Sequence, residues 1–127
     1  MNGPRSTVDL IATYVTCLEA RDWDAVGALL HPDVVYEIPQ TRERVRGRRA
    51  LLAFNLAYPG DWHLQLAESY ADGSGGVARL EARRDGLTES AIVFFEFGDD
   101  RLITSIRDWW PEPYEPPAGR EHLVERY

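Results

Sequence analysis

The chain has 127 residues, 44% hydrophobic and 28% charged, which is the size and composition of one globular domain and not of a disordered or fibrous chain. Its formal charge is −7, from 14 basic and 21 acidic residues, the wrong sign for a chain that tracks phosphates, so no nucleic-acid partner is expected. All 14 basic residues are arginine and Cys17 is the only cysteine, which excludes lysine Schiff-base chemistry, a Walker-type phosphate lysine, an intrachain disulfide and a cysteine-based zinc cluster.

The opening MNGPRSTVDL has neither a basic nor an apolar signal region, and the longest apolar run, Ala91 to Phe95, is far too short to span a bilayer. A cytoplasmic protein with no membrane partner is the expectation. Ile11, Tyr14, Val15 and Leu18 fall at i, i+3, i+4 and i+7 and predict a first helix. Asp22 is placed to cap a second, shorter helix carrying Trp23, Val26, Leu29 and Leu30, which His31-Pro32-Asp33 ends. Val34 to Ile38 reads as a short strand stopped by Pro39, and Gln40 to Arg49 as a polar, Arg-rich loop. Ala50 to Tyr58 reads as a third helix ended by Pro59-Gly60-Asp61.

From Trp62 the period becomes two. Trp62, Leu64, Leu66, Glu68 and Tyr70 share one face of a strand, and Asp72 to Gly76 is a turn. Val77 to Arg84 follows, then the hairpin signal Asp85-Gly86, then strands over Thr88 to Phe97 and Leu102 to Trp110. Four strands joined by tight turns predict an antiparallel meander. Pro111, Pro113, Pro116 and Pro117 forbid further sheet, leaving 111–127 as a Pro-rich tail of a single domain over 1–127. Its Tyr114, Leu123, Val124 and Tyr127 suggest a tail that packs down, over a pocket or onto a partner subunit. Helices first and a curled sheet after them make an α+β layout with a conical cavity between the layers.

With Tyr14-Val15-x-x-Leu18, Arg21 to Asp24, Leu29 to Tyr36, Arg46 to Ala50 and Leu102 to Trp110 in view, the chain resembles the SnoaL-like branch of the nuclear transport factor 2-like superfamily over essentially its whole length. The resemblance implies a cone-shaped α+β barrel of the cystatin-like kind, with three N-terminal helices on a curved antiparallel sheet. The superfamily includes ketosteroid isomerases, polyketide cyclases, limonene-type epoxide hydrolases, dehydratases and non-catalytic proteins, so fold alone does not choose a chemistry. Tyr14 matches the isomerase tyrosine that donates to the oxyanion, while Ile38 and Val93 stand where the isomerase carries its two proton-handling carboxylates. Against the epoxide hydrolases, Asp108 matches the last-strand carboxylate and Tyr36 the water-holding tyrosine. Arg79-Leu80-Glu81 is similar to their Arg-x-Asp, and Ile38 falls where they carry asparagine.

Asp108 is the leading catalytic candidate, because Ile106, Asp108 and Trp110 share one strand face and a desolvated carboxyl suits proton transfer. Tyr14 and Tyr36 would steady an oxyanion or a water. Arg79 and Glu81 would join Asp108 in a charged triad if their side of the strand looks inward; if Ala78, Leu80 and Ala82 do, they are ordinary surface charges. Asn55, Phe54, Trp62, Phe95, Phe97 and Trp110 are expected to bind an apolar or aromatic small molecule. His31, His63 and His122 are not spaced as a metal site, and neither metal nor cofactor is expected. The reading is a cofactor-independent acid/base enzyme of cyclase, isomerase, dehydratase or epoxide hydrolase type. The alternative is a non-catalytic ligand-binding or dimerisation module, and a homodimer is expected in either case.

Overall fold

A computed structural model describes residues 6–127; the residues before them, on which the reading of the N-terminus partly rests, lie outside the described residues. Helix α1 (Thr7–Glu19) starts where Ser6 accepts a hydrogen bond from the Asp9 backbone N–H at 3.2 Å. Asp22 caps α2 (Trp23–Leu29) as its position predicted, accepting from Ala25 N–H at 3.2 Å. The chain continues through β1 (Leu30–Ile38), β2 (Glu43–Arg46), α3 (Arg48–Ala57), β3 (Trp62–Ala71), β4 (Gly75–Arg84), β5 (Leu87–Phe97) and β6 (Ile103–Trp109).

Two segments differ from their sequence reading. Strand β1 begins four residues early, at Leu30, because the His31-Pro32-Asp33 stretch is absorbed as an irregularity between the paired residues Leu30 and Val35. The Arg-rich segment is not wholly loop: Glu43 to Arg46 pairs antiparallel with Val35 to Ile38, supported by the Arg44–Glu37 ion pair at 2.5 Å. Gly47, at φ 92°, then turns the chain into α3.

The strands form one curved, unclosed sheet in the order β2-β1-β6-β5-β4-β3. The β3–β6 meander is antiparallel as expected, but β1 lies parallel to β6, so the sheet is mixed. That pairing follows from a long excursion: the chain leaves β1, builds β2, α3 and three further strands, and returns beside it. The β4–β5 hairpin turns on Asp85 and Gly86, both at positive φ (52° and 85°), the combination that makes Asp-Gly a hairpin signal.

The three helices cover one face. Ile11, Leu30, Leu51, Ile103 and Ile106 are fully enclosed there, with Val26 and Val34. Gly76 marks a close approach of α1 and β3 to β4, since a Cβ there would sit 2.8 Å from Ile11 Cδ1 and 2.6 Å from the Tyr70 carbonyl. Strand β3 carries a bulge between Leu66 and Glu68, which turns Glu68 and Tyr70 to the outer face, away from Trp62, Leu64 and Leu66. Beyond β6 the tail forms a single 3-10 turn at Glu121–Leu123. Its Tyr114, Leu123, Val124 and Tyr127 are exposed, so the tail does not bury them over the helix-side cavity. Among the described residues no helix is long and apolar enough to cross a membrane.

Candidate active site

A cavity opens between the helical layer and the inner face of the sheet. Asp108 projects into it from β6, between Ile106 and Trp110, which line the same space. Across the pair of strands it stands opposite Val93 of β5. Only 7% of Asp108 is exposed. The Tyr36 hydroxyl donates to its Oδ2, whereas Oδ1 is buried without a hydrogen-bond partner. Burial pushes the carboxyl up to about 6, with the Tyr36 and Trp110 side chains offsetting part of the rise. At neutral pH most copies hold a carboxylate, one oxygen of which is desolvated and makes no hydrogen bond of ordinary geometry.

Tyr14 approaches from α1 and Tyr36 from β1, both buried. Burial, and secondarily the Asp108 charge, raises both phenols far above the ordinary value, so both keep their protons and can donate an O–H. Tyr14 packs edge-on to Phe95 with ring centroids 5.6 Å apart, and Tyr36 packs against Phe54 at 5.6 Å. Asn55, on α3, exerts a smaller pull in the opposite direction on the Tyr14 hydroxyl. Its Nδ2 is buried and, although the amide neighbours the Tyr14 hydroxyl, makes no hydrogen bond of ordinary geometry. An orphaned donor and an orphaned acceptor therefore line the same cavity, an arrangement that costs folding free energy unless a guest completes it.

The structure brings together Tyr14, Tyr36, Phe54, Asn55, Trp62, Phe95, Asp108 and Trp110. Phe97 does not line the cavity; it is buried deeper in the core, one strand repeat past Phe95. Arg79 and Glu81 are a correction. Ala78, Leu80 and Ala82 are the buried side of β4, so Arg79 and Glu81 lie on the outer face. Arg79 pairs there with Glu68 at 2.8 Å, made possible by the β3 bulge. The triad with Asp108 does not form.

Several lining residues were not singled out from the sequence. Tyr58 lies one helical turn past Phe54 and Asn55, a spacing that could have revealed it. Its ring meets Phe54 edge-on with centroids 5.8 Å apart. Arg84 shares strand parity with Ala82 and so reaches the cavity rim. Arg21 stacks on Trp62, its guanidinium carbon 3.3 Å from the ring centroid, and also donates to the Trp62 carbonyl. Nothing in the local sequence around Arg21 signals that long-range contact.

The model of the SnoaL-like domain matches residues 11–106. Among solved structures, the chain is similar to a candidate ketosteroid isomerase from Kribbella flavida DSM 17836, with 44% identity and a TM-score of 0.91, covering 95% of this chain and 89% of that one. A nuclear transport factor 2-like protein of unknown function from Burkholderia xenovorans LB400 has 20% identity and a TM-score of 0.80, covering 95% and 94%. An LEH-like epoxide hydrolase from M. tuberculosis has 24% identity and a TM-score of 0.67, covering 83% and 82%; these last two likenesses are of fold. No curated protein matches the sequence. With three-quarters of its length matched by one domain model, on the fold described above, the chain belongs to the SnoaL-like domain family.

Proposed function

We propose that the cavity is the active site of an acid/base enzyme that enolises a small, largely apolar carbonyl compound, with Asp108 as the base. The observation that carries this reading is the pair of buried, unpartnered atoms in one cavity, Asp108 Oδ1 and Asn55 Nδ2. A carbonyl compound supplies both missing partners: an acidic C–H for the carboxylate and an oxygen for the amide. Asp108 Oδ1 takes the proton α to the carbonyl. The C–H electron pair becomes the enolate C=C, and the carbonyl π pair moves onto oxygen. Asn55 Nδ2 and the Tyr14 hydroxyl stabilise that oxygen, and donors held in place before reaction are what such a step needs.

The Tyr36 hydroxyl bond fixes the carboxylate rotamer and leaves Oδ1 as the reacting oxygen. Returning the proton to a different carbon completes an isomerisation. Attack of the enolate carbon on a second carbonyl of the same molecule closes a ring. Both outcomes balance without an oxidant or reductant, and the first agrees with the name of the Kribbella flavida relative. A carboxyl near 6 matches the driving force for proton transfer near neutral pH better than an ordinary aspartate.

One observation favours a second reading, ligand binding without turnover: Val93 opposite Asp108 leaves the buried part of the cavity with a single carboxylate. The experiment that separates the two is deuterium exchange. A panel of enolisable cyclic ketones is incubated with the protein in D2O, and loss of the α-proton NMR signal is followed. Enolisation predicts exchange that falls about a hundredfold or more in Asp108→Asn. Ketones that bind with no exchange would refute the enzyme and leave the binding module.

A further inference from the structure

The inward face of β4 is apolar until the end of the strand, where the series Ala78, Leu80, Ala82 continues into Arg84. Strand parity puts this arginine on the inner face and its place at the strand end puts it at the rim. It is half-buried. Its stem packs beside Gly60, where an added Cβ would meet Arg84 Cγ at 3.0 Å. Its guanidinium is directed over Tyr58, 5.9 Å from the ring centroid, with Nη1 3.5 Å from the Tyr58 hydroxyl. Among the described residues it enters no ion pair, although the chain carries an excess of carboxylates. Asp85, its sequence neighbour, instead accepts from the Asp61 backbone N–H at 3.0 Å.

Resting on the enolisation reading of the same site, we propose that Arg84 is the specificity residue of the cavity and receives a carboxylate carried by the substrate. The substrate class is then an aromatic or alicyclic acid. Its carbonyl end lies at Asp108 and Asn55, its ring lies between Phe54, Tyr58 and Trp62, and its carboxylate lies at the rim. A planar guanidinium held beside a phenol ring and its hydroxyl binds a carboxylate through two parallel N–H donors. Asp108 at the floor carries a like charge, which fixes the direction of entry: the neutral ring goes in first. The other charges at the rim are Arg83, exposed and on the opposite parity of β4, and Glu89. Glu89 belongs to the inward parity of β5 and lies diagonally across from Arg84, beside Ala82, but it is exposed and unpaired. Exposure screens its repulsion of an incoming anion.

The test compares two probes of one shape, 2-naphthoate and the neutral 2-naphthalenemethanol. Binding is followed at pH 7.5 through the fluorescence of Trp62 and Trp110, which line the cavity. The wild-type protein should bind the carboxylate about tenfold or more tightly than the alcohol. Arg84→Gln should remove that preference while leaving the alcohol within about twofold of its wild-type affinity. Glu89→Gln should tighten naphthoate and leave the preference intact. Equal affinities in the wild type would overturn the role of Arg84 while leaving the cavity and its base in place. An Arg84→Gln variant that weakens both probes equally would also overturn it, reducing Arg84 to a packing partner of Tyr58. Failure of both probes to bind would overturn the ligand class; α-proton exchange on ketones, measured independently, would then decide whether the Asp108 reading falls with it.

Discussion

Replacing Asp108 by asparagine should make the protein more stable at neutral pH, by an amount the site's electrostatics set. Burial raises the Asp108 carboxyl from 3.8 to about 6. That shift of roughly two pH units corresponds to about 3 kcal/mol at about 1.4 kcal/mol per unit. The sign follows from linkage. Between the two values the unfolded chain has released the proton and the folded chain still holds it, so the native state loses ground as pH rises. The loss begins near pH 4, is complete just above pH 6, and is constant beyond.

Asparagine keeps the acceptor for Tyr36 and never ionises. The stability difference between variant and wild type should therefore grow in the variant's favour by most of the about 3 kcal/mol between pH 4 and pH 7.5. Urea unfolding of both proteins at half-unit pH steps measures it, and the other titrating groups cancel in the difference. A difference that stays flat across that window would refute the desolvated carboxylate. One that moves toward the wild type would mean the ionised form is well solvated or paired. The same comparison tests the functional argument, since a base kept at a stability cost is the expected signature of a site under selection for reactivity.

Tyr36→Phe removes the hydroxyl that lowers the Asp108 carboxyl, so the pH at which α-proton exchange reaches half its maximum should move upward, as a pH–rate profile would show. Arg79→Ala removes an exposed ion pair on the outer face, so urea unfolding should register less than about 1 kcal/mol and ketone exchange should not change. Leu51→Ala opens a hole between α3 and the sheet at a fully buried position and should cost about 2–5 kcal/mol in the same unfolding assay. His63 contacts Glu19 at 3.0 Å and Asp61 at 3.2 Å, and the Glu19 bond holds its imidazole above the ordinary 6.5. An NMR titration should show this, and Glu19→Gln should bring the ring back down.

Elements governed by local rules were legible from the residues. Helix α1 follows the i, i+3, i+4 series, α2 follows its Asp22 cap, and the β4–β5 hairpin follows Asp85-Gly86. What was not legible depends on partners far along the chain. The parallel β1–β6 pairing joins Tyr36 to Ile106 across a separation of most of a domain, and no local propensity encodes it. The short strand β2 is equally hidden: its four residues are polar or charged apart from Val45, and it exists because the edge of β1 is there to pair with.

Strand parity decided the site in the same way. The alternation of β4 offers two faces, and sequence alone leaves open which one looks inward. Small apolar residues on one face and charges on the other point to the arrangement observed, and the β3 bulge completes it by giving Arg79 a carboxylate on the outside. Where alternation ran without a break from Ile106 to Trp110, the inward assignment of Asp108 held. Asn55 shows the remaining gap. Its position on α3 placed it near the cavity from the sequence, but only the fold reveals that its amide is buried and unsatisfied. The two atoms on which the proposed enolisation rests, Asn55 Nδ2 and Asp108 Oδ1, come from elements separated by three strands in sequence. Neither is interpretable alone. If they form one recognition site as proposed, a ligand that satisfies both should raise the melting temperature more in the wild type than in Asn55→Leu or Asp108→Asn.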